Sequence, residues 1–322
     1  MTQLLLASMT LMPPTPAQPL RIGTRGSPLA LWQAHEVRRL LMAALDAPEA
    51  AFQIVVIKVL GDQVLDRALK DIGGKGLFTR EIEAALLDGG IDIAVHSMKD
   101  MPTLQPKGLQ LDCYLPRADV RDAFVSPLHA GIADLPQGAV VGSSSLRRRA
   151  QLRLRRPDLQ LVEFRGNLQT RMRKLDEGVA AATFLAMAGL TRLGMVHVAR
   201  GAIEPDQMLP AVAQGAIGVE RRSADTRVAD LLALIHDHDT GLRLAAERAF
   251  LATLDGSCET PIAGLAVLEG SRLWLRGEIL RPDGSEAIAG EIRGAVAEGA
   301  GLGETLARQL LAQAPAGFLA GH

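Results

Sequence analysis

The sequence predicts two α/β domains followed by a smaller α+β domain. From Arg21 to about Val219, short apolar runs alternate with amphipathic helical stretches, the pattern of strand–helix units. Beyond about His236 the pattern becomes one helix, three strand-like runs around a Pro282-Asp283-Gly284-Ser285 turn, and a closing helix. A length of 322 residues suits about two to three domains.

The elements follow in order. Leu20 to Thr24 reads as a strand, and Ser27 caps a helix with Pro28 at its first position. Leu29, Trp32, Leu40 and Leu41 supply much of that helix's apolar face. Phe52 to Leu60 is a second expected strand, Thr79 to Asp88 a helix stopped by Gly89-Gly90, and Ile91 to Val95 a short buried strand. A similar unit begins after Asp119. It has strands at Ala139 to Gly142, Leu159 to Phe164 and Ala180 to Met187. Its helices are Leu146 to about Arg156, ended by Pro157, and Asn167 to Glu177. The last domain reads as a helix from Thr240 to Leu254, then strands at Ala263 to Leu268, Leu273 to Leu280 and Ala287 to Arg293. A helix near Leu302 to Ala312 closes it.

Composition narrows the function classes. Net charge is −1 and apolar content is 48%, the balance of a globular protein and not of a nucleic-acid coat. Aromatics are 3%, so aliphatic side chains must build the core. No apolar run reaches the ~18 residues of a membrane span. The first twenty residues lack a basic start, and Pro13 and Pro14 interrupt their apolar run, so they read as a flexible extension rather than a cleaved signal. Cys113 and Cys258 make no disulfide framework, and the cytosol is the expected compartment.

Against this near-neutral background stand nine arginines within the 27 residues from Arg147 to Arg173, opposed in that window only by Asp158 and Glu163. Three readings are open: a solvated helix face for Arg153, Arg155 and Arg156, a nucleic-acid patch, or a binder of several carboxylates. Phe164 is the only nearby aromatic, which weakens the nucleic-acid reading. Other polar groups also fall where an expected strand ends: Arg25 and Ser27, Lys99 and Asp100, the serines before Arg147 and Arg148, and Arg165. Carboxyl ends of strands and helix N-termini are where α/β proteins bind ligands, so these segments can share one cleft.

Asp100, ionised beside cations, suits stabilising a developing cation or relaying a proton. Cys258, in Gly256-Ser257-Cys258-Glu259-Thr260-Pro261, reads as an exposed loop thiol fit for attack or attachment, whereas Cys113 reads as structural. Lys70 to Gly76 is a glycine-rich lid or hinge loop without the spacing of a phosphate-binding loop. His236-Asp237-His238-Asp239 has no second cluster to complete a metal site, and no metal is expected.

Taken together, these motifs resemble the porphobilinogen deaminase (hydroxymethylbilane synthase) family. The resemblance is carried by RIGTRGSPLALWQ (21–33), GGKGLF (73–78), DIAVHSMKDMP (92–102), GSSSLRRR (142–149), FRGNLQTR (164–171), LPAVAQGAIGVE (209–220) and the GSCETP loop. It implies two doubly wound domains like those of periplasmic binding proteins, plus a third with a three-stranded antiparallel sheet. The implied division is an extension of 1–18, a first domain of 19–115 and 214–235, a second of 116–213 and a third of 236–322.

The resemblance also implies a dipyrromethane cofactor held through a thioether at Cys258. Onto that primer four porphobilinogen molecules would be joined with loss of ammonia, and a linear tetrapyrrole released by hydrolysis. By match to the family, Lys99, Ser143, Ser144, Ser145, Arg147 and Arg148 would hold the cofactor. Arg25, Ser27, Arg165, Arg171 and Arg192 would hold substrate or growing chain, and Gly73, Gly74, Lys75 and Phe78 would belong to the lid. Asp100 would be catalytic, stabilising the azafulvenium cation left when ammonia departs. Ser143 stands where threonine is common, Asp71 where lysine is expected, and Ala181 where an aspartate is usual. A monomer without nucleic-acid or membrane partners is expected. A solute-binding module is the competing class, and an export signal or loss of Asp100 or Cys258 would have favoured it.

Overall fold

The computed structural model describes residues 11–60, 79–257 and 260–319. Gly73, Gly74, Lys75 and Phe78, expected in a lid, lie outside the described residues, as do Asp71 and Cys258.

β1 (Leu20–Thr24) runs into α1 (Pro28–Leu45). Ser27 caps that helix, its hydroxyl accepting from the Ala30 amide at 3.3 Å, and Pro28 sits in the first turn, where the missing N–H costs nothing. Val37 and Leu41 of α1 pack with Ile22 into the first core. β2 (Phe52–Val56) ends four residues before the expected Leu60, because its parallel partner β1 ends at Thr24, opposite Val56, and the chain there turns away into the α1 cap. α2 (Arg80–Leu87), β3 (Ile93–Ser97) and β4 (Leu109–Tyr114) complete this stretch.

The chain then enters a second sheet through β5 (Asp122–Val125) and continues through β6 (Val140–Gly142), α3 (Leu146–Arg155) and β7 (Gln160–Val162). α4 (Leu168–Asp176), β8 (Ala182–Ala186), α5 (Met187–Arg192) and β9 (Gly201–Ile203) follow. α3 stops at Arg155, one residue earlier than expected, since Arg156 precedes Pro157 and leaves helical geometry at φ −138°, ψ 71°. β10 (Ile217–Arg222) returns to the first sheet, between β3 and β4, and is followed by α6 (Thr226–Ala233).

The sheet orders are β2-β1-β3-β10-β4 and β7-β6-β8-β5-β9, one topology used twice. In each, three parallel strands adjoin an antiparallel fourth, and that fourth is a strand the chain places just after crossing between domains. Parallel strands share a direction, so their carboxyl ends share an edge.

The third domain begins with α7 (His238–Thr253), two residues earlier than the expected Thr240. Asp237 is its cap, accepting from the Thr240 amide at 2.7 Å. β11 (Ile262–Glu269), β12 (Arg272–Leu280) and β13 (Ala287–Ala295) form an antiparallel sheet, with α8 (Gly299–Gln313) behind it. Phe250, Leu306 and Leu310 fill the space between helices and sheet.

One buried ion pair gathers all three domains. Arg117, just past β4, donates to Glu247 of α7 at 2.6 and 3.0 Å and to the Gln214 carbonyl at 3.0 Å. Glu247 also accepts from the Ala213 amide at 2.7 Å and the Ala266 amide at 2.8 Å. Gly215, in this returning crossover, has φ +88°, and a Cβ there would stand 2.6 Å from the Ala118 carbonyl oxygen, so the two crossovers touch backbone to backbone. Near the amino terminus, Leu11 packs on the first core and Thr15 bridges Gln18.

Candidate active site

The parallel strands deliver the expected residues to their carboxyl ends. β1 leads to Arg25 and Ser27, β3 to Lys99 and Asp100, β6 to the three serines, β7 to Arg165, and β8 through α5 to Arg192. Arg25, Ser27, Gln33, His96, Ser97 and Asp100 line one pocket of the first domain. Gln33 is buried and donates to the Ser97 hydroxyl at 2.8 Å, which fixes that side of the pocket. The pocket therefore joins a guanidinium, neutral donors and a carboxylate, as an amphoteric ligand requires.

The second cluster spans both domains. Lys99 lies in the field of Asp100, Arg148, Asp122 and Arg147. Burial pushes its amine down to about 8, Asp100 opposes this, and Arg148 adds to it. Arg171 is lowered to about 10 by burial and by Arg148, with Asp100 opposing and Arg165 adding. Of the cations here, Arg147 and Arg148 thus act on Lys99, and Arg148 and Arg165 act on Arg171. Against them stand Asp100, Asp122 and Glu278, and burial pushes the Glu278 carboxyl up toward its neutral form. The surplus is positive and partly desolvated, the electrostatic form of an anion site.

Arg147 and Arg148 are buried. Their Nη2 atoms each donate to Asp122 at 2.7 Å, and their Nη1 atoms to the Leu209 and Phe184 carbonyls at 2.8 Å. Both Nε atoms, and Nη1 of Arg165, are buried without a partner. The three serines shape the turn that leads into α3. Ser145 occupies the cap position of α3 without a side-chain cap bond. Ser143 accepts from the Ser145 amide at 3.3 Å, and Ser144 accepts from the Phe164 amide at 2.9 Å, so they shape the loop and tie it to the next strand end.

Arg171 donates to the Gly166 carbonyl at 2.9 Å. Arg192 donates to the Gly215 carbonyl at 2.7 Å and lies 5.8 Å from the Trp32 ring centre, bridging α5, α1 and the crossover. Its guanidinium is lowered to about 10 by burial. Of the remaining arginines, Arg156 is not a free surface charge. It donates to Asp158 and to the Ile132 and Leu135 carbonyls. Arg155 is exposed, and Arg153 packs beside Gly284 of the third domain.

The sequence reading missed Asp122, Gln33, His96 and Glu220. Three of them lie inside motifs quoted for other residues, and Asp122 opens an apolar run, AFV, like any strand-edge acid. His236 accepts from the Tyr114 amide at 3.2 Å, Asp237 is a helix cap, and no group of three metal-ligating side chains exists among the described residues. Among them, also, no helix is long and apolar enough to cross a membrane.

Comparison with known proteins adds to this geometry. Residues 20–230 match the family model described as "Porphobilinogen deaminase, dipyromethane cofactor binding domain". Residues 242–312 match that of the "Porphobilinogen deaminase, C-terminal domain". A curated porphobilinogen deaminase of Paracoccus denitrificans (strain Pd 1222) is 72% identical over 305 residues, covering 95% of this chain and 97% of that protein. Among solved structures, the periplasmic VFT2 domain of Bordetella pertussis BvgS has a TM-score of 0.40 at 15% identity, covering 67% of this chain and 86% of its own. A periplasmic substrate-binding protein of an ABC transporter from Coxiella burnetii has 0.41 at 15% identity, covering 71% and 96%.

Proposed function

The chain belongs to the porphobilinogen deaminase family and is a transferase of porphyrin biosynthesis, and from that premise we propose that it joins four porphobilinogen molecules head to tail onto a dipyrromethane primer attached at Cys258. Ammonia leaves at each addition, and hydrolysis releases the linear tetrapyrrole. The observation that carries this reading is the surplus of desolvated cations around Lys99, Arg147 and Arg148. Each pyrrole unit brings an acetate and a propionate, so primer and growing chain supply the carboxylates that the cluster lacks.

The residues fit the cofactor. The unpartnered Nε atoms of Arg147 and Arg148 and Nη1 of Arg165 are buried donors of the kind that carboxylate oxygens satisfy. Lys99, Arg147 and Arg148 would hold the primer, with Ser143, Ser144 and Ser145 shaping the loop beside it. When bound, the primer supplies a ring carbon as nucleophile.

The protein's own groups do the rest. Arg25 and Ser27, in the pocket with Asp100, orient the incoming monomer by its carboxylates. Asp100 stabilises the cation that develops on that monomer as its C–N bond breaks and ammonia departs. It also stands ready to accept the proton lost when the new C–C bond forms. Arg165, Arg171 and Arg192, along the second domain and the crossover, carry the lengthening chain.

Denaturing mass spectrometry tests the reading. The purified protein should exceed its sequence mass by two pyrrole units, and Cys258→Ala should lack that excess. An unmodified protein with full activity would refute it.

A further inference from the structure

Resting on that reading of the cradle, we propose that Asp122 is a positioning residue: it holds the Arg147 and Arg148 guanidiniums side by side and offsets their charge while no ligand carboxylate is present. Asp122 is fully buried at the start of β5, the strand by which the chain enters the second domain. Its carboxylate is divided between two arginines. Oδ2 accepts from Arg147 Nη2 and Oδ1 from Arg148 Nη2, each at 2.7 Å, and Oδ1 also accepts from Gln214 Nε2 at 2.9 Å. Arg147 and Arg148 together hold this carboxyl well below the usual range, against the effect of burial. The Leu209 and Phe184 carbonyls help to orient the two guanidiniums, but a neutral carbonyl cancels no charge.

The charges define what Asp122 does. One permanent negative charge faces two permanent positive ones, so the cradle is half compensated before any ligand arrives. Complete compensation would leave nothing for a ligand carboxylate to gain. With none, two buried guanidiniums would repel each other and splay. The position of Asp122 also ties the cradle to the two crossovers. It stands just beyond the outgoing crossover, while Gln214 and Leu209, which share its network, belong to the returning one.

This assigns Asp122 an effect that a merely structural acid lacks. In loaded protein the ligand's carboxylates compensate the arginines, so loss of Asp122 should harm the unloaded protein more. Asp122→Asn is to be made in the native chain, with loading checked by denaturing mass spectrometry, and in the Cys258→Ala background. Thermal melts of the unloaded form should fall roughly 5 °C or more further than those of the loaded form. Equal losses in the two forms would overturn the proposal.

Charge rescue provides the second arm. Adding Arg148→Met to Asp122→Asn in the Cys258→Ala background removes one charge of each sign and should recover much of the lost melting temperature. If Asp122→Asn does not fold unloaded, folding of the double variant supports the proposal, and its failure to fold refutes it. Absence of the two-pyrrole mass from otherwise native protein would sink the functional reading instead. The rescue arm, read in unloaded protein, is independent of that outcome.

Discussion

His96 Nε2 stands 3.1 Å from Glu220 Oε2, joining β3 to the returning strand β10 just ahead of the Lys99–Asp100 turn. Glu220 is fully buried, its second oxygen has no partner, and His96 lines the pocket with Asp100. The pair ties one wall of the pocket to the strand that the chain lays down last in that sheet. Removing His96 as His96→Ala leaves a buried carboxyl with no partner, at a cost of about 3 kcal/mol. Glu220→Gln keeps the volume and should cost about 1 kcal/mol. Urea unfolding of the two variants checks this order, and equal losses would contradict it.

Asp100→Ala should fold, carry the two-pyrrole mass and turn over at least about 100-fold more slowly, the usual scale for losing one electrostatic stabiliser. The effect should fall on kcat more than on KM, because the developing cation exists only after the monomer is bound. Steady-state kinetics on mass-verified protein reads both. A variant within a few-fold of native kcat would remove Asp100 from the chemistry.

Lys99 gives a pH signature to unloaded protein. Burial pushes its amine down to about 8, whereas an unfolded lysine keeps its proton to about 10.4. Between those values the unfolded state binds more protons, so this group makes stability rise with pH across that window; below about 8 both states are protonated and its cost is constant. Reductive methylation followed by peptide mass analysis should show Lys99 gaining reactivity with a midpoint near 8 in Cys258→Ala protein. Bound carboxylates favour the charged amine, so in loaded protein that midpoint should move up. Identical profiles in the two forms would separate Lys99 from the ligand site.

The third domain is keyed to the second through Gly284. At φ +73°, a Cβ there would lie 2.5 Å from the Arg153 Cβ and 2.8 Å from the Ala150 carbonyl oxygen. Gly284→Ala therefore meets both an unfavourable backbone conformation and α3 itself, and should cost about 2 kcal/mol. A thermal melt measures it. An unchanged melting temperature would show that the turn moves freely away from α3.

Much of the fold could be read locally. Ser27 with Pro28, Asn167 before α4 and Pro157 after α3 mark helix ends by chemistry that acts within four residues. Where the strands depart from expectation, a distant partner decides. β2 ends where β1 runs out, and the short strands β5 and β9 exist only because β8 and the entering chain offer them ladder partners. The arginine window already read as divided, with Arg147 and Arg148 apart from Arg153, Arg155 and Arg156, but the partners that each arginine meets did not show in the sequence. Arg156 turned out to be a bracket on the Ile132–Leu135 loop, whereas Arg147 and Arg148 form the buried cradle.

The sequence by itself determined the fold class, the strand-end placement of Lys99, Asp100 and Arg165, and the family, because periodicity, capping and ordered motifs are short-range properties of the chain. Only the tertiary structure decided that Asp122 counters Arg147 and Arg148, that Glu220 meets His96, and that Arg117 and Glu247 gather three domains. Their members lie 25 to 130 residues apart in sequence. His96 and Glu220 meet because the crossovers return the chain to a sheet it had left, Asp122 meets its arginines across the second domain, and in each case burial requires a charge to find its counterpart.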